Sequence, residues 1–147
     1  MAVISTGSIF RDSWNNLYTV ISEKVPTASG LYSAFPDPNQ SNFPDYPIVI
    51  IRSAGLETTE RSFGRVNREL TLNFLVECFS QSAAQIDELS DQIESALTKA
   101  STVNGLNDSG LNSIVFSTAG EDHPIINNRK IHSKAFNFNC VWRGDYQ

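Results

Sequence analysis

Apolar residues fall at helical spacing in two stretches of this chain and alternate with polar ones in others. Between Ser8 and Val25, the residues Phe10, Trp14, Leu17 and Ile21 stand three or four apart, which puts them on one face of a helix. Ser8 or Thr6 is placed to cap its start, and Pro26 marks its end. Asp12, Asn15, Asn16, Ser22 and Glu23 form the opposite, polar face. The second stretch opens on Ser82-Ala83-Ala84-Gln85, which has the form of a capping box. Ile86, Leu89, Ile93, Ala96, Leu97 and Ala100 then line one face of a helix running to about Lys99.

Four segments carry strand patterns. Tyr46 to Arg52 is a short β-branched run, read as a strand buried on both faces. From Val66 to Cys78 the alternation is nearly clean: Val66, Arg68, Leu70, Leu72, Phe74, Val76 and Cys78 share one face. The other face begins polar and turns apolar at Leu75 and Phe79, so its far end is expected to be covered. Leu111 to Ser117 reads as a third strand. Lys130 to Arg143 reads as the closing one, with Phe136, Phe138, Cys140 and Trp142 on one face. Polar, glycine-bounded Ala54–Gly64 is a hairpin connection, and Ser101–Gly110 and Ala119–Asn128 are loops. The stretch from Thr27 to Pro47 holds four prolines, but Phe35, Phe43 and Tyr46 interrupt it, making it an anchored loop rather than a free linker. The predicted fold class is α+β: a mostly antiparallel four-stranded sheet with two helices packed on one face, as a single domain over residues 1–147.

Composition narrows the function. With 40% hydrophobic and 18% charged residues, the chain is globular rather than disordered. A net charge of −5 argues against a surface that grips nucleic acid phosphates all over. The start, MAVISTGSIF, has no basic region or sustained apolar run, so no signal peptide is expected. Ile48 to Ile51 is the longest pure aliphatic run, far short of a membrane span. Cys78 and Cys140 lie within apolar alternating stretches and form no C-x-x-C pair, which suits two buried free thiols in a reducing cytoplasm.

Candidate chemistry is sparse. His123 and His132 are the only histidines, and Glu121-Asp122-His123 is a run of neighbours that rarely converges on one metal ion. No G-x-S-x-G, H-E-x-x-H or G-x-G-x-x-G motif occurs, so no catalytic, cofactor-binding or metal residue is assigned and no enzyme is expected. Asp87, Asp91 and Glu94 make one carboxylate stripe on the second helix. Such a stripe is either a solvated face or a surface that repels DNA phosphates as DNA passes. Arg61, Arg65 and Arg68 gather at the first hairpin, and Arg129, Lys130, Lys134 and Arg143 near the last. Acidic neighbours Glu57, Glu60, Glu69 and Glu77 dilute the first group, which with Phe63 favours protein contact over nucleic acid.

The stretch RVNRELTLNFLVECFSQSAAQIDELSDQIESAL, the closing KAFNFNCVWRGD and the leading helix FRDSWNNLYTVI together resemble the tail-terminator, or tail-completion, proteins of long-tailed bacteriophages and the related small neck proteins. The resemblance implies a non-enzymatic virion protein, assembled in the host cytoplasm, without cofactor or membrane. Such a protein forms a closed homo-oligomeric ring, typically hexameric, that caps the tail tube protein and ends its polymerisation. The ring presents a surface to the head connector or neck proteins, and DNA passes without specific binding. Phe63, Arg65, Phe79, Arg143 and Tyr146 are the candidate contact residues; Asp87, Asp91 and Glu94 are the candidate acidic lining of a lumen. The alternatives are a head-completion or adaptor protein of the same neck, or a small α+β ligand-binding domain or enzyme.

Overall fold

The structure, a computed structural model, describes residues 3–60 and 67–145. A 3₁₀ turn over Thr6–Ser8 leads into α1, Ile9–Lys24. Then follow β1 (Gly30–Tyr32), β2 (Ile48–Glu60), β3 (Asn67–Ser80), α2 (Ala83–Thr98) and α3 (Ala100–Ser109). The chain ends in β4 (Leu111–Asp122), β5 (Ile125–Ile126), β6 (Arg129–Lys130) and β7 (His132–Asp145). The main sheet has the order β1-β2-β3-β7-β4, antiparallel throughout except for the parallel β1–β2 pair.

Each face of this sheet has its own core. Val49, Ile51, Leu70, Leu72, Phe74, Val76, Cys78, Phe136, Phe138, Cys140 and Trp142 point to one side and meet the apolar stripes of the helices there. Burying these side chains is the main driving force for the helix-on-sheet layer. On the other face, Ile48, Ile50, Phe79 and Ile131 form a smaller cluster under Tyr32, Phe35, Phe43, Tyr46 and Ile126. The covered far end expected from Leu75 and Phe79 is therefore real, and the cover is the proline-rich segment with its aromatic anchors. Ile48 to Ile51 lie between the two cores and are buried on both sides, as their composition predicts.

The architecture is α+β as expected, but larger than four strands and two helices. The proline-rich segment contributes β1, whose Gly30–Tyr32 pair in parallel with Ile48–Ile50. Residues 54–60, expected to belong to a hairpin connection, continue β2 and pair with β3 as far as Glu60↔Arg68. The expected loop after the second helix is instead α3. Thr102, Leu106 and Ser109 fall on one buried face, and Gly110 closes the helix at φ 115°, a backbone shape that side chains rarely adopt. Extended Lys99 separates it from α2. Part of the Ala119–Asn128 connection is also regular: β4 runs on to Asp122. Asn127 and Asn128, both at positive φ, then make the two-residue turn between β5 and β6.

Helix starts also differ from expectation. Ser8 sits at the N-cap of α1 without a side-chain cap bond. Asp12 reaches back instead, its Oδ2 accepting from the Ser5 amide at 3.0 Å and the Ser8 hydroxyl at 3.0 Å. At α2, Ser82 Oγ accepts from the Gln85 amide as predicted. The return arm runs through Ser80, which donates to Gln85 Oε1 at 2.6 Å and accepts from the Ser82 amide.

Candidate assembly surface

The helix-free face of the sheet is polar above its covered end. Glu69, Thr71 and Asn73 of β3 and Asn137 and Asn139 of β7 share it, all half-buried, with Asn73 directly opposite Asn139. Lower down, Arg52 pairs with Glu77 across the β2–β3 ladder. A groove of about 530 Å³ opens beside this pair, between Phe35 and Phe79 on one side and Gly120 and Glu121 on the other. A second cleft, about 630 Å³, lies between Phe43, Tyr46, Gln81 and Arg129. Burial raises the Tyr46 phenol there, partly offset by the charge of Arg129.

The helix layer presents a different surface. α1 is rotated relative to the expected stripe: Leu17 and Ile21 are buried, but so are Ile9, Ser13, Asn16 and Val20. Phe10 is left 43% exposed and Tyr18 39% exposed, with Trp14 half-buried between them. Trp14 stacks on Tyr18 at 5.3 Å and donates its indole N–H to the carbonyl of Ile51 at 2.6 Å. That outward aromatic row was hidden in the sequence because Phe10 and Trp14 fit the helical period of the core face equally well.

Of the five predicted contact residues, only Phe79 and Arg143 lie among the described residues. Phe63, Arg65 and Tyr146 lie outside the described residues, as do Arg61 and the tip of the first hairpin. Arg143 lies in β7, opposite Glu69, with only its backbone described. Phe79 is 8% exposed; its ring meets Phe35 edge-on at 4.8 Å, so within this chain it anchors the loop rather than offering a free contact.

The carboxylate stripe is exposed along α2, as its spacing requires. Asp87 is tied, however: Lys134 Nζ donates to its Oδ1 at 2.7 Å and stands 3.2 Å from Glu121. The hydrogen bond Lys134 donates to Asp87 chiefly holds its ammonium above its ordinary range, with Glu121 adding to it. In sequence Lys134 belongs with the basic residues near the last hairpin, but it shares a strand face with Phe136 and so points towards the helices. Arg129 and Lys130 stay exposed in β6.

His123 and His132 meet ring-to-edge at 4.9 Å, and among the described residues no group of three His, Cys, Asp or Glu side chains could hold a metal ion. Cys78 and Cys140 are buried free thiols. Burial raises both, Cys78 strongly and Cys140 to about 12. Among the described residues no helix is long and apolar enough to cross a membrane.

No protein-family model and no curated protein matches the sequence. Among solved structures, the chain is similar to one from a structure described as "Virion of native gene transfer agent (GTA) particle". The TM-score is 0.52 at 11% identity, covering 87% of this chain and 92% of that one. At that identity the likeness is one of fold, and it spans both layers of the α+β architecture.

Proposed function

We propose that this chain is a structural protein of a phage-like virion, working without catalysis or cofactor. In its finer form the reading is a tail terminator: a ring, of hexameric type, that caps the tail tube, ends its polymerisation and joins it to the head connector. The observation that carries it is the shared fold with a chain of a gene transfer agent virion over nearly the whole of both chains. The net charge of −5 and the exposed stripe at Asp91 and Glu94 suit a ring through which DNA slides without sticking. The tip of the first hairpin, with Phe63 and Arg65, and the C-terminal residues Arg143 and Tyr146 are assigned to the contacts with neighbours and partners.

Native mass by light scattering across a concentration series, followed by negative-stain imaging with purified tail tubes or emptied heads, tests this. A closed ring with a central hole, seated on tube ends, is the expected result. A ring that binds only emptied heads makes the chain a head-completion adaptor of the same neck. A monomer that binds neither overturns the virion reading and turns attention to the cleft beside Tyr46 and Arg129.

A further inference from the structure

The main sheet has two long edges to which no further strand pairs among the described residues. On one side β1 pairs with β2 only along Ile48–Ile50, and the Trp14 indole takes up the carbonyl of Ile51. From Arg52 to Glu60, β2 then has a strand partner only on its β3 side. On the other side β4 pairs with β7 alone. An uncovered strand edge is a template for another strand, and folded proteins usually blunt it with proline or lysine. Neither residue occurs in 52–60 or in 111–122. Apolar side chains also stand open beside both edges: Phe10 and Tyr18 on α1, which packs along β2, and Val115, 56% exposed, in β4.

We propose that these edges bind each other in successive copies, β4 of one copy adding to the Arg52–Glu60 edge of β2 in the next, head to tail. The inference rests on the ring reading and supplies its interface. Strand direction supports it. Across β2, β3, β7 and β4 every neighbour is antiparallel, so β2 and β4 themselves run in opposite directions. A copy rotated about an axis along the strands therefore presents its β2 antiparallel to β4, continuing the ladder in the same sense. The Arg52 end of the free β2 edge, its side chain 55% exposed although paired with Glu77, lies towards the end of the sheet where β4 carries exposed Glu121 and Asp122. The contact uses two different surfaces, so repetition closes a ring when the rotation between copies divides the full circle, whereas β4-to-β4 pairing would stop at a dimer and leave β2 bare. The register shifts at Ser53/Gly55 in β2 and on both sides of Val115–Thr118 in β4 add the bend and twist a sheet needs to curve round to its neighbour.

Crosslinking tests the assignment in the full chain. Ser53 and Thr118 are exposed and lie on the same face of the sheet, opposite Phe74 and Phe136 respectively. Cys78 and Cys140 are fully buried, which leaves Ser53→Cys and Thr118→Cys as the reactive thiols. With a bismaleimide long enough to span adjacent strands in any register, the double variant is expected to give a ladder of multimers. The two single variants mixed give dimers only, and each alone gives none. Adding Val115→Lys, which puts a charge on the β4 edge, cuts multimer yield about tenfold while the thermal midpoint stays. Arg52→Cys with Ser117→Cys, on the opposite face, repeats the test if the first pair fails to fold. Dimers from a single variant, or no ladder from a protein that still forms rings, overturn the edge pairing and leave the ring reading standing. A chain monomeric at every concentration that yields no ladder, and that binds neither tail tubes nor emptied heads, overturns both.

Discussion

Asp12 shows how one side chain fixes the entry to α1. Its carboxylate gathers the Ser5 amide and the Ser5 and Ser8 hydroxyls, and the Ser5 amide is the main cause that holds it below the usual carboxylate range, with Arg11 adding to the effect. A lowered folded-state value stabilises the fold fully above the unfolded value of about 3.9, and the contribution is lost as pH falls through the folded one. On acidification below about pH 4, the Ser5 amide should therefore lose hydrogen-exchange protection ahead of the sheet amides, and Asp12→Asn should abolish that step. An unchanged Ser5 exchange profile would show that Asp12 is not the anchor. The thiols make the opposite case. Raised by burial and closed off from solvent, Cys78 and Cys140 should take up no maleimide in the native protein and react fully in denaturant. Labelling of either in the folded state would contradict its place in the core.

At the scale of elements, α3 and the proline-rich cover make separate claims on stability. Leu106 is fully buried in a helix whose sequence, ASTVNGLNDS, is poor in helix formers, so tertiary packing holds α3 in place. Leu106→Ala should cost about 2–5 kcal/mol in urea unfolding. Phe35 is half-buried against Phe43 and Phe79, and Phe35→Ala should cost about 2 kcal/mol, less than a fully buried phenylalanine would. If its loss cost nothing, the loop would not be an anchored layer. These two elements also mark how far the sequence can be read. The alternation from Leu70 to Cys78 and the stripe from Ile86 to Leu97 are legible because one face of each is continuously apolar. α3 was not, since Gly105 and its asparagines signal a loop and only Thr102, Leu106 and Ser109 keep the helical period. β1 was hidden by its length of three residues, and residues 54–60 of β2 by a polar composition suited to a strand beyond the core. The contact surface was the least legible part. Exposure of Phe10, and capture of Asp87 by Lys134, depend on helix rotation and on a cross-layer contact between residues 47 positions apart.

For the whole molecule, the question is what a net-negative, two-layered protein does when DNA runs beside it. Retention on duplex DNA comes from Lys and Arg releasing counterions from the phosphates, and it falls steeply with salt. This chain places Lys134 between two carboxylates, pairs Arg52 with Glu77, and turns Asp91 and Glu94 outward on α2, so these two cations are internally matched and the α2 surface is net negative. The native protein should therefore not retard duplex DNA in a gel-shift assay near physiological salt. Asp91→Lys with Glu94→Lys reverses the outward stripe at exposed helix positions, where substitutions usually change stability by no more than about 0.5 kcal/mol. The reversed protein should gain a weak retention that disappears as salt is raised, with its unfolding midpoint unchanged. If the native chain itself bound DNA with a steep salt dependence, the stripe would not act as a repelling surface, and a DNA-gripping function would replace the sliding one.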